Sequence, residues 1–168
     1  MAWALRWQVL LTAAFVISAG SLLHFAWEWS GRNSFVAVFA AINESTWEHL
    51  KLAFWPAFLV ALLQLKFYAK APGFLLTTAV RCALPALLII LLFYGYTWLL
   101  GRHCLIADLL VFAVSILAGE FFGHMLLQRH LSKLMRIILL AVIVITTLLF
   151  TTLSFNPPSI FLFKVPGG

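Results

Sequence analysis

The chain has 168 residues, of which 64% are hydrophobic and 10% charged, with a net charge of +6 and a mean hydropathy of +1.07. Soluble domains carry about 25% charged residues, so the composition excludes a water-soluble fold. The basic excess does not mark a nucleic-acid binder, because Lys and Arg are scattered in short breaks between apolar runs instead of gathered on a polar module.

In chain order, the first apolar run covers about 6–27, with Trp3, Arg6 and Trp7 at its start. Ser18-Ala19-Gly20 imitates a signal-peptide cleavage site, but the run continues to Trp27, further than a signal core extends. It is therefore expected to remain as a span. Residues 33–43 are apolar but too short to cross, and are expected either to re-enter the bundle or to lie at the interface. Four more runs, at about 46–67, 74–100, 105–127 and 134–153, each reach the ~20 residues a helical span needs. The breaks Lys70-Ala71-Pro72-Gly73, Gly101-Arg102-His103 and Gln128-Arg129-His130 separate them. Pro56 and Pro85 fall inside runs, where neighbouring helices can re-satisfy the freed backbone groups. The expected fold is an all-α integral membrane protein, a single domain over 1–168 built as a bundle of five transmembrane helices. Cys82 and Cys104 fall toward opposite faces and are expected to be free thiols, since a disulfide needs Cα atoms within about 7 Å.

Five spans put the two ends of the chain on opposite sides of the bilayer. One side collects Arg6, Lys66, Lys70, Arg129, Lys133 and Arg136; the other collects Arg32, Arg102 and Lys164, with Lys51 just inside it. Loops rich in Lys and Arg stay cytoplasmic. The N-terminus is thus expected inside and the C-terminus outside, in a bacterial cytoplasmic (inner) membrane. Trp3 and Trp7 then mark the inner interface, and Trp27, Trp29, Trp47 and Trp98 the outer one.

Against this sparse background, the ten residues from Ile42 to Lys51 (INESTWEHLK) hold two of the chain's five acids and one of its five histidines. Ser45-Thr46-Trp47-Glu48 fits a capping box, in which Ser45 and Glu48 satisfy backbone N–H groups at a helix start; Asn43 is a competing cap. Capping leaves Glu44, His49 and Lys51 unexplained. His24 and Glu28, four residues apart, share one face of the first span at a matching depth, and Asp108 lies near the outer start of the fourth. A carboxylate at mid-membrane costs about 2.5–3.5 kcal/mol or more, so such groups face the bundle interior and mark function. Mixed imidazole and carboxylate ligands suit zinc first, then iron or manganese. Deeper in the bundle, Glu120 and His124 form a second i,i+4 pair at the depth of Arg81. These are either a buried Arg81–Glu120 ion pair or the continuation of a polar path from the outer cluster. His103 and His130 are expected to be ordinary solvated loop residues.

The stretch His24-Phe25-Ala26-Trp27-Glu28-Trp29-Ser30-Gly31, followed by Asn43-Glu44-Ser45-Thr46-Trp47-Glu48-His49-Leu50-Lys51, resembles a family of small bacterial polytopic membrane proteins of unknown function. That family has an H-x-x-x-E-W-S-G stretch, then N-E-S-x-W-E-H-x-K, and a Pro-Pro element after its last span, here similar to Phe155-Asn156-Pro157-Pro158. The resemblance implies an architecture and a polar focus, not an activity. In chemistry alone the chain is similar to intramembrane zinc hydrolases of the alkaline-ceramidase and progestin-receptor-like group. Those have seven spans and a paired-histidine motif that this sequence lacks.

The function expected from the residues is a metal-dependent hydrolase or transferase acting on a lipid or lipid-linked substrate at the outer face. Its metal would be held by His24, Glu48 and His49 with Glu28 or Asp108. Glu44 would be the general base for a water activated by the ion, and Lys51 would neutralise a developing oxyanion or a lipid phosphate. The alternative is a proton- or cation-coupled transporter, working as a homo-oligomer, whose path runs on through Arg81, Glu120 and His124. A third is a non-catalytic membrane assembly partner whose polar cluster staples helices together. Membrane lipids are the expected surroundings of all three.

Overall fold

The structure, a computed structural model, describes residues 2–165 and, among their side chains, those from Trp7 onward. The Trp3 anchor and the Arg6 charge lie outside the described side chains. In chain order the helices are α1 (Ala2–Trp29), α2 (Ser34–Ala37), α3 (Thr46–Tyr68), α4 (Phe74–Leu100), α5 (Leu105–Met125) and α6 (Lys133–Thr152), followed by a single 3-10 turn at Phe161–Phe163. No strand occurs among the described residues. The five long helices are each long and apolar enough to cross a membrane, and their limits fall within a few residues of those expected from the sequence.

Local chemistry explains the ends. Ser45 caps α3, its hydroxyl accepting from Glu48 N, and Ser132 caps α6 in the same way through Met135 N. Gly101 ends α4 at φ 68°, a left-handed cap that a side chain would strain.

Four helices close a ring: α1 packs on α3, α3 on α4, α4 on α5, and α5 back on α1. The core of this ring includes Val16, Ala53, Phe54, Ala57, Cys82 and Ile116. α4 and α5 share the most extensive contact. Gly119 and Gly123, spaced G-x-x-x-G, turn bare backbone toward α4, the arrangement that lets membrane helices meet closely. A Cβ on Gly119 would lie 2.6 Å from Pro85 Cγ. α6 stands outside the ring against α4, with Phe150 reaching the rings of Trp47 and Phe54 on α3.

Hydropathy and packing run opposite to the order of a soluble protein. α3 is the least apolar of the five and the most buried; α6 is the most apolar and the least buried. In hydrocarbon the apolar surface belongs outside, and the costly polar groups are sheltered within.

Residues 33–43 pack against the end of the bundle. Asn33 caps the short helix α2, Ala37, Ala40 and Ala41 are buried, and the Phe39 ring meets Trp55 at 4.9 Å. Trp55 lies roughly 13 Å along α3 from its start at 1.5 Å per residue. The segment thus contacts α3 through Phe39 and Trp55 and leads on to Glu44. Both cysteines are free, Cys82 buried and Cys104 exposed.

Candidate metal centre

Three side chains converge at the end of the bundle where α1 finishes and α3 begins. His24 comes from the last turns of α1, Glu44 from the loop that follows residues 33–43, and His49 from the first turn of α3. Glu44 Oε2 lies 3.5 Å from His24 Nε2 and 3.5 Å from His49 Nε2. One ligand atom from each lies within 4.8 Å of the others, a group that could hold a metal ion. A tetrahedral ion with ~2.0–2.1 Å bonds sets its ligand atoms about 3.4 Å apart, so two of the three separations already have that length.

The orientation of His49 carries further information. Its Nδ1 lies 2.9 Å from the carbonyl oxygen of Ser45, one turn back on the same helix. A carbonyl can only accept, so Nδ1 carries the hydrogen and donates it. In the neutral ring, Nε2 then carries the lone pair, and it lies 3.5 Å from a carboxylate oxygen. Two electron-rich atoms facing each other at 3.5 Å are favourable only with a proton or a cation between them. A backbone carbonyl on the far nitrogen is also the usual way a metal-binding histidine is held in one tautomer. His24 is placed differently: its ring packs against Phe25 and His49, with centroids 5.0 and 5.2 Å away. Its buried Nδ1 finds no partner among the described residues.

The group opens onto a cavity of about 550 Å³ between α1, α3, α4 and α5. Its walls are mostly apolar, with Leu52, Ile89, Phe93 and Phe112 among them, and His24, Glu44 and His49 form one polar pole. A second pole faces the same space. Asp108 accepts a hydrogen bond from the Tyr96 hydroxyl and lies 3.3 Å from His103 Nδ1. Phe25, Leu105 and Leu109, which also line the cavity, are exposed.

Several residues singled out from the sequence take other places. Glu48 and Lys51 are not at this pole: they form a fully buried ion pair, Lys51 Nζ to Glu48 Oε2 at 2.7 Å, with side chains 0% and 2% exposed. Ser154 Oγ donates to Glu48 Oε1 at 2.7 Å and accepts from Lys51 Nζ at 2.9 Å. Glu48 is thereby withdrawn from the ligand set and Lys51 from the oxyanion role, because every charge-bearing atom is already matched. Glu28 also stands apart. It lies beyond the group at the exposed end of α1 and pairs with Arg32 at 3.1 Å. Glu44, expected as the general base, lies between the two histidines, 3.5 Å from each. Asp108 lines the cavity but is not part of the group.

Arg81 and Glu120 make the buried ion pair that was one of the two expectations, at 2.9 Å. Thr12 Oγ1 donates to the same Glu120 oxygen at 2.8 Å, and Gln64 accepts from Arg81. His124 is buried beside them in a tight cleft with Gln8 and Tyr68. This set is separated from the His24–Glu44–His49 group by about 18 Å of α1 and by the apolar core that includes Val16, Ala57 and Ile116.

His103, expected in a solvated loop, does lie in the loop before α5 with its side chain 55% exposed, and it also lines the cavity. Its loop position hid that role, although a carboxylate five residues on was a usable signal. Thr12 and Gln64 were visible as polar residues inside apolar runs. Ser154 carried no signal, since nothing in the sequence relates it to residues more than a hundred positions earlier.

Residues 2–166 match the model of a family described as of unknown function. No curated protein and no solved structure matches the chain.

Proposed function

We propose that the chain, which belongs to the DUF6512 family of unknown function, is a membrane-embedded enzyme that holds a divalent metal ion on His24, Glu44 and His49. Zinc is the first candidate, iron or manganese the next. The observation that carries the reading is the facing of His49 Nε2 and Glu44 Oε2 at 3.5 Å, with the far nitrogen of His49 already committed to Ser45 O. Three protein ligands with an open side toward a cavity is the pattern of catalytic rather than structural sites.

The substrate class follows from the cavity. Its apolar walls fit a hydrocarbon chain, its polar pole would receive the reacting group, and its border at Phe25, Leu105 and Leu109 offers entry from lipid. A lipid or lipid-linked substrate meets all three conditions. The ion would supply a Lewis acid for hydrolysis or group transfer. His103 and Asp108, which line the same cavity, would accept or return a proton, since none of the three ligands is free to do so. The intervening apolar core favours this reading over a proton path running from His24 to Glu120.

Metal content tests it. Protein purified in detergent without added metal, or reloaded with zinc, is expected to hold about one equivalent. His24→Ala and His49→Ala are expected to lose it while keeping wild-type helical content. A folded wild-type protein that binds neither zinc, iron nor manganese in that assay ends the proposal.

A further inference from the structure

Glu44 has no support of its own beyond the two histidines, and its side chain is 64% exposed. Its placement depends on the backbone around it. Ile42 N donates to Glu48 Oε2 at 3.1 Å, and Ser45 N donates to Asn43 Oδ1 at 2.9 Å. Lys51 holds the other side of the loop by donating to Ala37 O at 2.7 Å. The three hydrogens of the ammonium group thus match three acceptors: Ala37 O, Ser154 Oγ and Glu48 Oε2. The single hydroxyl hydrogen of Ser154 goes to Glu48. No donor hydrogen of the Lys51 ammonium or the Ser154 hydroxyl is spare.

Ser154 is the root of the segment that follows α6, and that segment runs back over the same end of the bundle. Phe161 meets Tyr94 at 5.1 Å, Phe163 stacks on Trp47 at 4.6 Å, and Val165 lines the cavity. One buried knot therefore ties together the loop that presents Glu44 and the segment that walls the cavity.

We propose that Glu48, Lys51 and Ser154 form a positioning lock, through which docking of residues 154–165 sets the position of Glu44. Only the zinc readout below rests on the metal reading; the coupling of the two segments stands without it.

The test compares the full-length chain with Ser154→Ala, Ser154→Thr and Phe163→Ala, all in phospholipid nanodiscs. Thr12→Val, which removes a bond to Glu120 at the far end of the ring, serves as control. Amide hydrogen exchange is followed at 38–45 and 155–165, and zinc affinity is measured by competition titration. Ser154→Ala is expected to speed exchange in both segments by roughly tenfold and to weaken zinc binding by about 10–100-fold, as loss of outer support does at metal sites. Ser154→Thr keeps the hydroxyl and is expected to restore both. Phe163→Ala, which loosens the segment without unpairing a buried polar atom, is expected to give the same paired rise in exchange. Thr12→Val is expected to leave both segments at the wild-type rate. Paired exchange in a protein that binds no zinc supports the lock and overturns the metal reading. Wild-type exchange at 38–45 in Ser154→Ala and Phe163→Ala overturns the lock, as does an equal rise in Thr12→Val.

Discussion

Replacing Lys51 by Met removes the positive charge from a carboxylate whose side chain is 2% exposed. At the 2.7 Å separation of the pair, unit charges attract by about 6 kcal/mol with an effective dielectric of 20. Desolvation consumes part of that, and breaking a buried pair by removing one partner typically costs about 3–5 kcal/mol. Lys51→Met is therefore expected to destabilise by about 3–5 kcal/mol, and Glu48→Gln by a similar amount, since it strands the ammonium. The double variant buries no charge and is expected to cost no more than either single change. The coupling energy from the four proteins would then be about 3 kcal/mol. Reversible unfolding in mixed dodecylmaltoside and SDS micelles, followed by far-UV circular dichroism, supplies the four free energies. Additivity within about 0.5 kcal/mol, as found for residues that do not interact, would refute the reasoning.

Gly119→Val is expected to destabilise by about 1–3 kcal/mol in the same assay, because the new side chain meets the rigid ring of Pro85 at 2.6 Å. Gly95→Ala, on the same helix as Pro85 but with open space around it, is expected to be neutral or to stabilise by up to about 1 kcal/mol. Ser45→Ala is expected to cost about 1 kcal/mol through the lost cap while leaving zinc affinity unchanged, since His49 is held by the Ser45 carbonyl and not by its hydroxyl. Exposed Cys104 lies at the same end of the bundle as the metal group. If that end faces outward, a membrane-impermeant maleimide is expected to label it in intact cells, and Cys104→Ser to abolish the labelling. Reaction only after lysis would reverse the orientation.

The five long helices were legible because their breaks are chemically unlike their interiors. Lys70-Ala71-Pro72-Gly73 and Gly101-Arg102-His103 interrupt runs that otherwise hold almost no charge. Depth was legible too: His24, Glu44 and His49 were all assigned to one end, and that is where they meet. Direction around the helix axis was not. His24 and Glu28 share a face by spacing, yet Arg32, one further turn on, takes Glu28 at the exposed end. Glu48 and His49 are adjacent on α3 and so point about 100° apart. That single step separates a buried ion pair from a candidate ligand. The partners that decide Glu48 and Lys51, Ala37 O and Ser154, come from a backbone carbonyl and a remote hydroxyl. Neither has a signature in the sequence around them.

The distance along the chain between Ser154 and its partners also has a consequence in time. Ser154 is synthesised 103 residues after Lys51 and 106 after Glu48. At about 5–20 residues per second, a growing chain carries Glu48 and Lys51 for roughly 5–20 s before the hydroxyl that completes their network exists. Until then Lys51 has only Ala37 and Glu48 to satisfy it, and the loop bearing Glu44 lacks its final restraint. On the proposed reading, the candidate metal group would thus be completed late in translation, once the chain beyond α6 has folded back beside it.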